Sequence, residues 1–130
     1  MDIIIKRRAL LSALAGAKAA YPHEFICLLT GRKEGEGAAS TIVIDDTLIP
    51  PGIMVSETMS SFSEWMLPTI DGLLGIFHSH PNGSNRPSRQ DRHLFSQKGG
   101  INLIAGYPFE PKNVCAYVAG SREAPFKVVD

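Results

Sequence analysis

The sequence has little of what marks a membrane, secreted or nucleic-acid-binding protein. No apolar run approaches the roughly eighteen residues that a membrane-spanning helix requires. Thirteen basic and thirteen acidic residues give a formal net charge of zero, which argues against an extended basic surface for nucleic acid or anionic lipid. An acid at position 2 and a basic run after the first apolar stretch reverse the pattern of a secretory signal. We therefore expect a cytoplasmic protein.

Cysteine is also scarce, since Cys27 and Cys115 are the only two in the sequence. Each lies in an apolar stretch, which favours buried free thiols in a reducing compartment, although the sequence leaves a disulfide between them open. A chain of 130 residues with 44% hydrophobic residues predicts one compact domain over residues 1–130. A domain of this size needs no metal to hold its fold, so any metal is expected to have a functional role.

The apolar spacing predicts both helices and strands. Residues 4–20 predict a first helix that ends before Pro22, and residues 88–97 predict a second helix after a loop at 81–87. Short apolar stretches bounded by glycine or proline predict strands, the first two as a hairpin, at residues 24–31, 41–44, 72–78, 101–105, 114–118 and 126–129. The sequence has no repeat and no low-complexity segment, so the pattern indicates an α/β domain.

Two pairs of polar residues follow the predicted strand at residues 72–78. His78 and His80 are two apart, so on a strand both imidazoles point to the same side and can reach one ion. Each pair alone has a simpler explanation, since the histidines can stand at a strand edge, and Ser88 and Asp91 can cap the second helix. Together they offer two imidazoles and one carboxylate, which are three ligands of a catalytic zinc site with an open fourth position.

Such a site also needs a group that takes a proton from water and passes it to the leaving amine. Glu24 is the candidate, because a carboxylate at the start of an otherwise buried strand is costly without a partner. Rival acids, which spacing alone does not rank, are Glu34, Glu36, Glu57 and Glu64. Ser88 has a second possible role, since its hydroxyl can donate a hydrogen bond to the oxyanion of a tetrahedral intermediate.

The segment Gly75-Ile-Phe-His-Ser-His-Pro81, followed by Pro87-Ser88-x-x-Asp91, resembles the JAMM signature of the MPN-plus (JAB) zinc metalloprotease family. That signature is an upstream glutamate, then H-[S/T]-H-P, and then S-x-x-D, with seven residues, the proline included, between the second histidine and the serine. Every position is filled. The segment Tyr21-Pro-His-Glu24 is similar to the family's glutamate region, which selects Glu24 among the acids. The resemblance implies a cytidine-deaminase-like α/β fold, in which helices flank a mixed sheet.

The resemblance also implies the roles of the site residues. One Zn²⁺ with a bound water would be held by His78, His80 and Asp91, with Glu24 as the general base and Ser88 as the oxyanion stabiliser. Family members that act on ubiquitin carry an insertion after the S-x-x-D helix, and the stretch before Ile101 leaves little room for one. The chain is more similar to the compact archaeal and bacterial members.

Those compact members are associated with ubiquitin-like or sulfur-carrier proteins that end in Gly-Gly. The resemblance therefore implies a deubiquitinase-like isopeptidase or peptidase that hydrolyses the bond after such a tail. A processing enzyme for a sulfur carrier would use the same chemistry on a different substrate. From a different class, a catalytically inactive MPN-type scaffold or interaction domain is the alternative, although the intact set of ligands speaks against it.

Overall fold

The computed structural model describes residues 1–49, 72–87, 100–118 and 122–130. In these ranges the chain forms one helix, α1 (Arg7–Ala20), and a single eight-stranded sheet. The strands are β1 (Asp2–Lys6), β2 (Ile26–Glu34), β3 (Thr41–Leu48), β4 (Leu73–His80), β5 (Ile101–Gly106), β6 (Val114–Val118), β7 (Arg122–Ala124) and β8 (Lys127–Val129). The predicted second helix, with Ser88 and Asp91, lies outside the described residues.

The sheet is mixed, with the strand order β7-β6-β5-β4-β2-β3-β1-β8. β4 pairs in parallel with β5, and β1 pairs in parallel with β3 and β8, while the other neighbours are antiparallel. These pairings confirm the α/β class and the β2–β3 hairpin. A relation to cytidine deaminases, and helices beyond α1, stay predictions. No helix in the described part of the chain is long and apolar enough to cross a membrane.

The prediction of a helix from residue 4 is wrong at its start, because the chain is a strand as far as Lys6. Ile3 and Ile5 are buried on one side of β1 and pair with Ile42 and Ile44 of β3. β-branched side chains fit such a half-buried pleated surface, and the helical spacing from residue 4 was coincidental. The prediction also missed β7, because its three residues are short of apolar side chains.

α1 covers one face of the sheet with a stripe of small and apolar side chains. Its buried residues are Ala9, Leu10, Ala13, Leu14 and Ala17. At Gly16 a Cβ would lie 2.3 Å from the ring of Phe25, so glycine allows the helix to approach that ring closely. The same ring meets Phe77 of β4 edge to face, with centroids 6.2 Å apart. Phe25, the residue after Glu24, is therefore held between the helix and β4.

The two cysteines lie on opposite faces of the sheet. Cys27 belongs to the core under α1, whereas Cys115 packs against a second cluster that contains Ile26 and Ile104. Both thiols are free, which decides against the disulfide that the sequence left open. Burial raises the pKa of the Cys27 thiol to about 12.

Truncation of leucine on the two sides of α1 tests this packing. Leu14 is 2% exposed and Leu11 is 50% exposed. We expect Leu14→Ala to lower the free energy of unfolding by about 2–5 kcal/mol, because the substitution leaves a cavity in the core. The matched Leu11→Ala variant should lose less than about 1 kcal/mol. Urea unfolding of the metal-free protein measures both, and equal losses would contradict the orientation of the helix.

Candidate metal centre

The end of β4 carries both histidines of the predicted metal site on one face of the sheet. His78 stands in register with Ile26 of β2 and Ile104 of β5, so these three side chains share that face. His78 is fully buried, and His80, at the end of the strand, is partly exposed. The two imidazole centroids are 4.9 Å apart, with the rings nearly perpendicular. Rings whose centroids are this close can each turn one nitrogen towards a shared ion, with Zn–N bonds of about 2 Å.

Glu24 reaches the same place from just before β2, the neighbouring strand. Its Oε1 lies 3.5 Å from Nδ1 of His78, and its side chain is 31% exposed. Glu34 stands at the opposite end of β2, eight residues beyond Ile26 and therefore about 26 Å away along the strand, where it pairs with Arg32. Among the described acids, the structure thus brings Glu24 to the histidines, while the rivals Glu57 and Glu64 lie outside the described residues.

Ser79, between the two histidines, points to the other face. It is fully buried, and its Oγ accepts a hydrogen bond of 2.9 Å from the amide of Phe25. The amide of Ser79 in turn donates to the carbonyl of Phe25 at 3.0 Å. Sequence analysis did not single out Ser79. Its position between two residues on the metal-site face was the available signal, since the middle residue of three on a strand must face the other way.

The loop after β4 folds back onto the end of the sheet. The carbonyl of His80 accepts hydrogen bonds from the amides of Gly83 and Tyr107, both at 3.2 Å. At Gly106 a Cβ would come within 2.3 Å of the carbonyl oxygen of Gly83, so the loop crosses the end of β5 at backbone contact distance. The prediction of a loop at residues 81–87 is confirmed.

A second set of bonds ties the far part of this loop to β6. The hydroxyl of Tyr117 donates to the carbonyl of Asn85 at 2.9 Å, and Nδ2 of Asn85 donates to the carbonyl of Asn113 at 3.3 Å. Burial raises the pKa of Tyr117 to about 12, so its hydroxyl keeps its proton at neutral pH. The chain is therefore tethered three residues before Ser88, on its way to the predicted third ligand.

The two described donors are of a kind that zinc accepts. Among the described residues, no three side chains of His, Cys, Asp or Glu gather as a metal-binding group, because Asp91 lies outside them. The described part supplies two imidazoles that converge on one face, and a carboxylate from Asp91 would complete a set that zinc accepts. The partly exposed His80 leaves this end of the sheet accessible to solvent.

The sequence profile of prokaryotic homologs of the JAB domain matches residues 6–128. A curated relative from Haloferax volcanii, named "Probable metalloprotease", is 29% identical over 124 residues, which are 94% of this chain and 76% of the relative. The residues matched by the family profile therefore include both the first helix and the histidine motif.

Solved structures show the same fold. The crystal structure of a JAB1/MPN domain protein from Archaeoglobus fulgidus is 29% identical, with a TM-score of 0.71 over 99% of this chain and 98% of that one. A structure described as "JAMM: A Metalloprotease-like Zinc Site in the Proteasome and Signalosome" is also 29% identical, with a TM-score of 0.73 over the whole of both chains. A protein from Desulfitobacterium hafniense, at 21% identity and a TM-score of 0.69 over 98% and 91% of the two chains, shares the fold alone.

Removal of the Tyr117 hydroxyl tests the tether of the loop. Tyr117→Phe leaves the carbonyl of Asn85 without this donor, so we expect the metal-free protein to lose about 1 kcal/mol of unfolding free energy. Zinc affinity should fall by up to about fivefold, because the loop must then be ordered by the metal. Tyr107→Phe, at an exposed tyrosine, is the matched control. Unchanged stability and zinc affinity in Tyr117→Phe would rule out the tether.

Proposed function

The chain belongs to the prokaryotic JAB-domain family, and from this premise we propose that it is a zinc-dependent peptidase that hydrolyses amide or isopeptide bonds. The observation that carries the proposal is the position of the Glu24 carboxylate, 3.5 Å from His78, on the face where His78 and His80 converge. A candidate general base just before β2 and two candidate metal ligands on β4 thereby lie side by side.

The roles divide among residues of this chain. His78, His80 and Asp91 would hold zinc, which supplies Lewis-acid chemistry by lowering the pKa of water and polarising a carbonyl. Glu24 would accept the proton of the attacking water at a carboxylate oxygen and deliver it to the nitrogen of the leaving amine. Ser88 would donate a hydrogen bond to the oxyanion. The ring of His78 is fully buried, so packing holds it in place.

We further propose that the substrate is a ubiquitin-like or sulfur-carrier protein with a Gly-Gly C-terminus. Two observations support this choice. Residues 92–100 leave little length for an insertion that would bind the folded body of a substrate, which favours recognition through an extended tail. Glycine has no side chain, so an extended Gly-Gly tail can bring its carbonyl close to a centre built into the end of a sheet. A cytoplasmic location stays a prediction from composition.

The role of Glu24 is tested by Glu24→Gln, with Glu34→Gln as a matched control at the far end of the same strand. We expect Glu24→Gln to keep zinc and to lower turnover by at least about a hundredfold, because the amide cannot accept the proton. Glu34→Gln should keep both. Zinc is measured in protein purified without chelator, and His80→Ala should lose it. Full zinc occupancy in His80→Ala would show that the ligand set is wrong.

The substrate class is tested with a panel of ubiquitin-like and sulfur-carrier proteins, each joined through its Gly-Gly tail to a reporter by a peptide or an isopeptide bond. We expect zinc-dependent cleavage after the second glycine, and loss of cleavage when the tail is changed to Ala-Ala. The ratio of rates for the two bonds assigns peptidase or isopeptidase. Cleavage of unrelated peptides at equal rates would exclude Gly-Gly specificity. Absence of any hydrolysis by zinc-loaded protein would favour the inactive scaffold.

A further inference from the structure

Ser79 occupies an unusual position for a residue inside a metal-binding motif. It lies between His78 and His80, yet its side chain points away from them into the core under α1. Phe77 and Ala105 share that face, and all three residues are fully buried. A hydroxyl on this face is separated from the metal by the sheet itself. Ser79 therefore cannot be a ligand, and its buried hydroxyl calls for another explanation.

The hydroxyl alters the hydrogen bonding of one rung between β2 and β4. The antiparallel register pairs Ile26 with His78, so Phe25 is the next residue opposite Ser79. In a regular rung of this kind, each residue donates its amide to the carbonyl of the other. Here the Ser79 amide donates to the Phe25 carbonyl at 3.0 Å, but the Phe25 amide donates to Ser79 Oγ at 2.9 Å. A side chain has replaced one backbone acceptor, and regular pairing starts only at Ile26.

This altered rung lies beside the candidate general base. Phe25 is held on the core face by two hydrogen bonds to Ser79, and its ring is held by Phe77 and by the close approach of Gly16. Glu24 is covalently attached to the held amide and projects to the opposite face, where its carboxylate lies 3.5 Å from His78. The position of the carboxylate therefore depends on where the Phe25 amide is held.

We propose that Ser79 is a positioning residue, which holds Glu24 beside His78 through the hydrogen bond to the Phe25 amide. The inference rests on the proposed function, in which Glu24 is the general base. Without the hydroxyl, the Phe25 amide has no acceptor at its present position, and a buried unpaired amide is costly. Pairing with the Ser79 carbonyl in a regular rung would move the amide and Glu24 with it, and misplacement of a catalytic group by about 1 Å can cost about a hundredfold in rate.

A double-mutant cycle between Ser79 and Glu24 tests the proposal. We expect Ser79→Ala to lower kcat by about tenfold to a hundredfold with KM and zinc content unchanged. In the Glu24→Gln protein, the same substitution should change kcat by less than about twofold, because the group that it positions has already been removed. Ser79→Thr, which keeps the hydroxyl, should recover most of the activity. Ser40→Ala is the matched control, since Ser40 is also buried and hydrogen-bonded to backbone, at the far end of the hairpin.

A second readout needs neither zinc nor substrate. Hydrogen exchange at the Phe25 amide, followed by NMR in the metal-free protein, should be at least about tenfold faster in Ser79→Ala than in the parent, and slow again in Ser79→Thr. If Ser79→Ala does not fold, Ser79→Cys takes its place, because the thiol keeps the approximate size with a weaker acceptor. The exchange measurement also separates the two proposals. Absence of hydrolysis by the zinc-loaded parent would overturn the proposed function, and full activity of Glu24→Gln would remove Glu24 as the base. Unchanged exchange at Phe25 in Ser79→Ala would overturn only the role of Ser79.

Two further outcomes would overturn the inference. Equal losses of kcat on adding Ser79→Ala to the parent and to the Glu24→Gln protein would show that Ser79 does not act through Glu24. Loss of zinc from Ser79→Ala, with unchanged exchange at Phe25, would show instead that the residue supports the ligands on either side of it.

Discussion

β4 is paired along both of its sides, antiparallel to β2 and parallel to β5, so its side chains must alternate between two faces of the sheet. The face under α1 is filled by a packed core that includes Phe77. The other face therefore receives His78 and His80, and their convergence follows from the pairing of the strand. The strand that carries the candidate ligands is thus among the most constrained in the sheet. A metal centre built on it has little freedom to change its geometry, as catalysis at a fixed ion requires.

The groups around β4 extend this constraint to residues that are not on the strand. The Phe25–Ser79 rung fixes the approach to β2 and with it Glu24. At the same end of the strand, the carbonyl of His80 holds the following loop, and Tyr117 holds that loop three residues before Ser88. Each tether holds a backbone amide or carbonyl, so it sets the path of the chain around the site.

Much of the sheet could be predicted because β2, β4, β5 and β6 are apolar runs with clear boundaries, and burial on both faces favours such runs. β1 could not be predicted, because the isoleucines at its start fit either a helix or a strand as long as the partner strand is unknown. The sequence also left open which of five acidic residues is the general base, because only the register of β2 against β4 separates Glu24 from Glu34. The resemblance to a known family selected the same residue before any register was available.

The placement of Glu24 also bears on the choice between an enzyme and a scaffold. A carboxylate that loses about two-thirds of its exposure beside a fully buried imidazole gives up hydration, and that loss is costly unless a cation or a hydrogen bond offsets it. A domain that only binds partners would have no need to bring a glutamate and two histidines together at the end of a strand that is paired on both sides. A zinc ion held by those histidines would supply the offsetting charge, and Glu24 would then stand close enough to exchange a proton with water at the same centre. The free-energy cost of placing Glu24 beside His78 is therefore easier to explain by a hydrolytic function than by a scaffold that only binds partners.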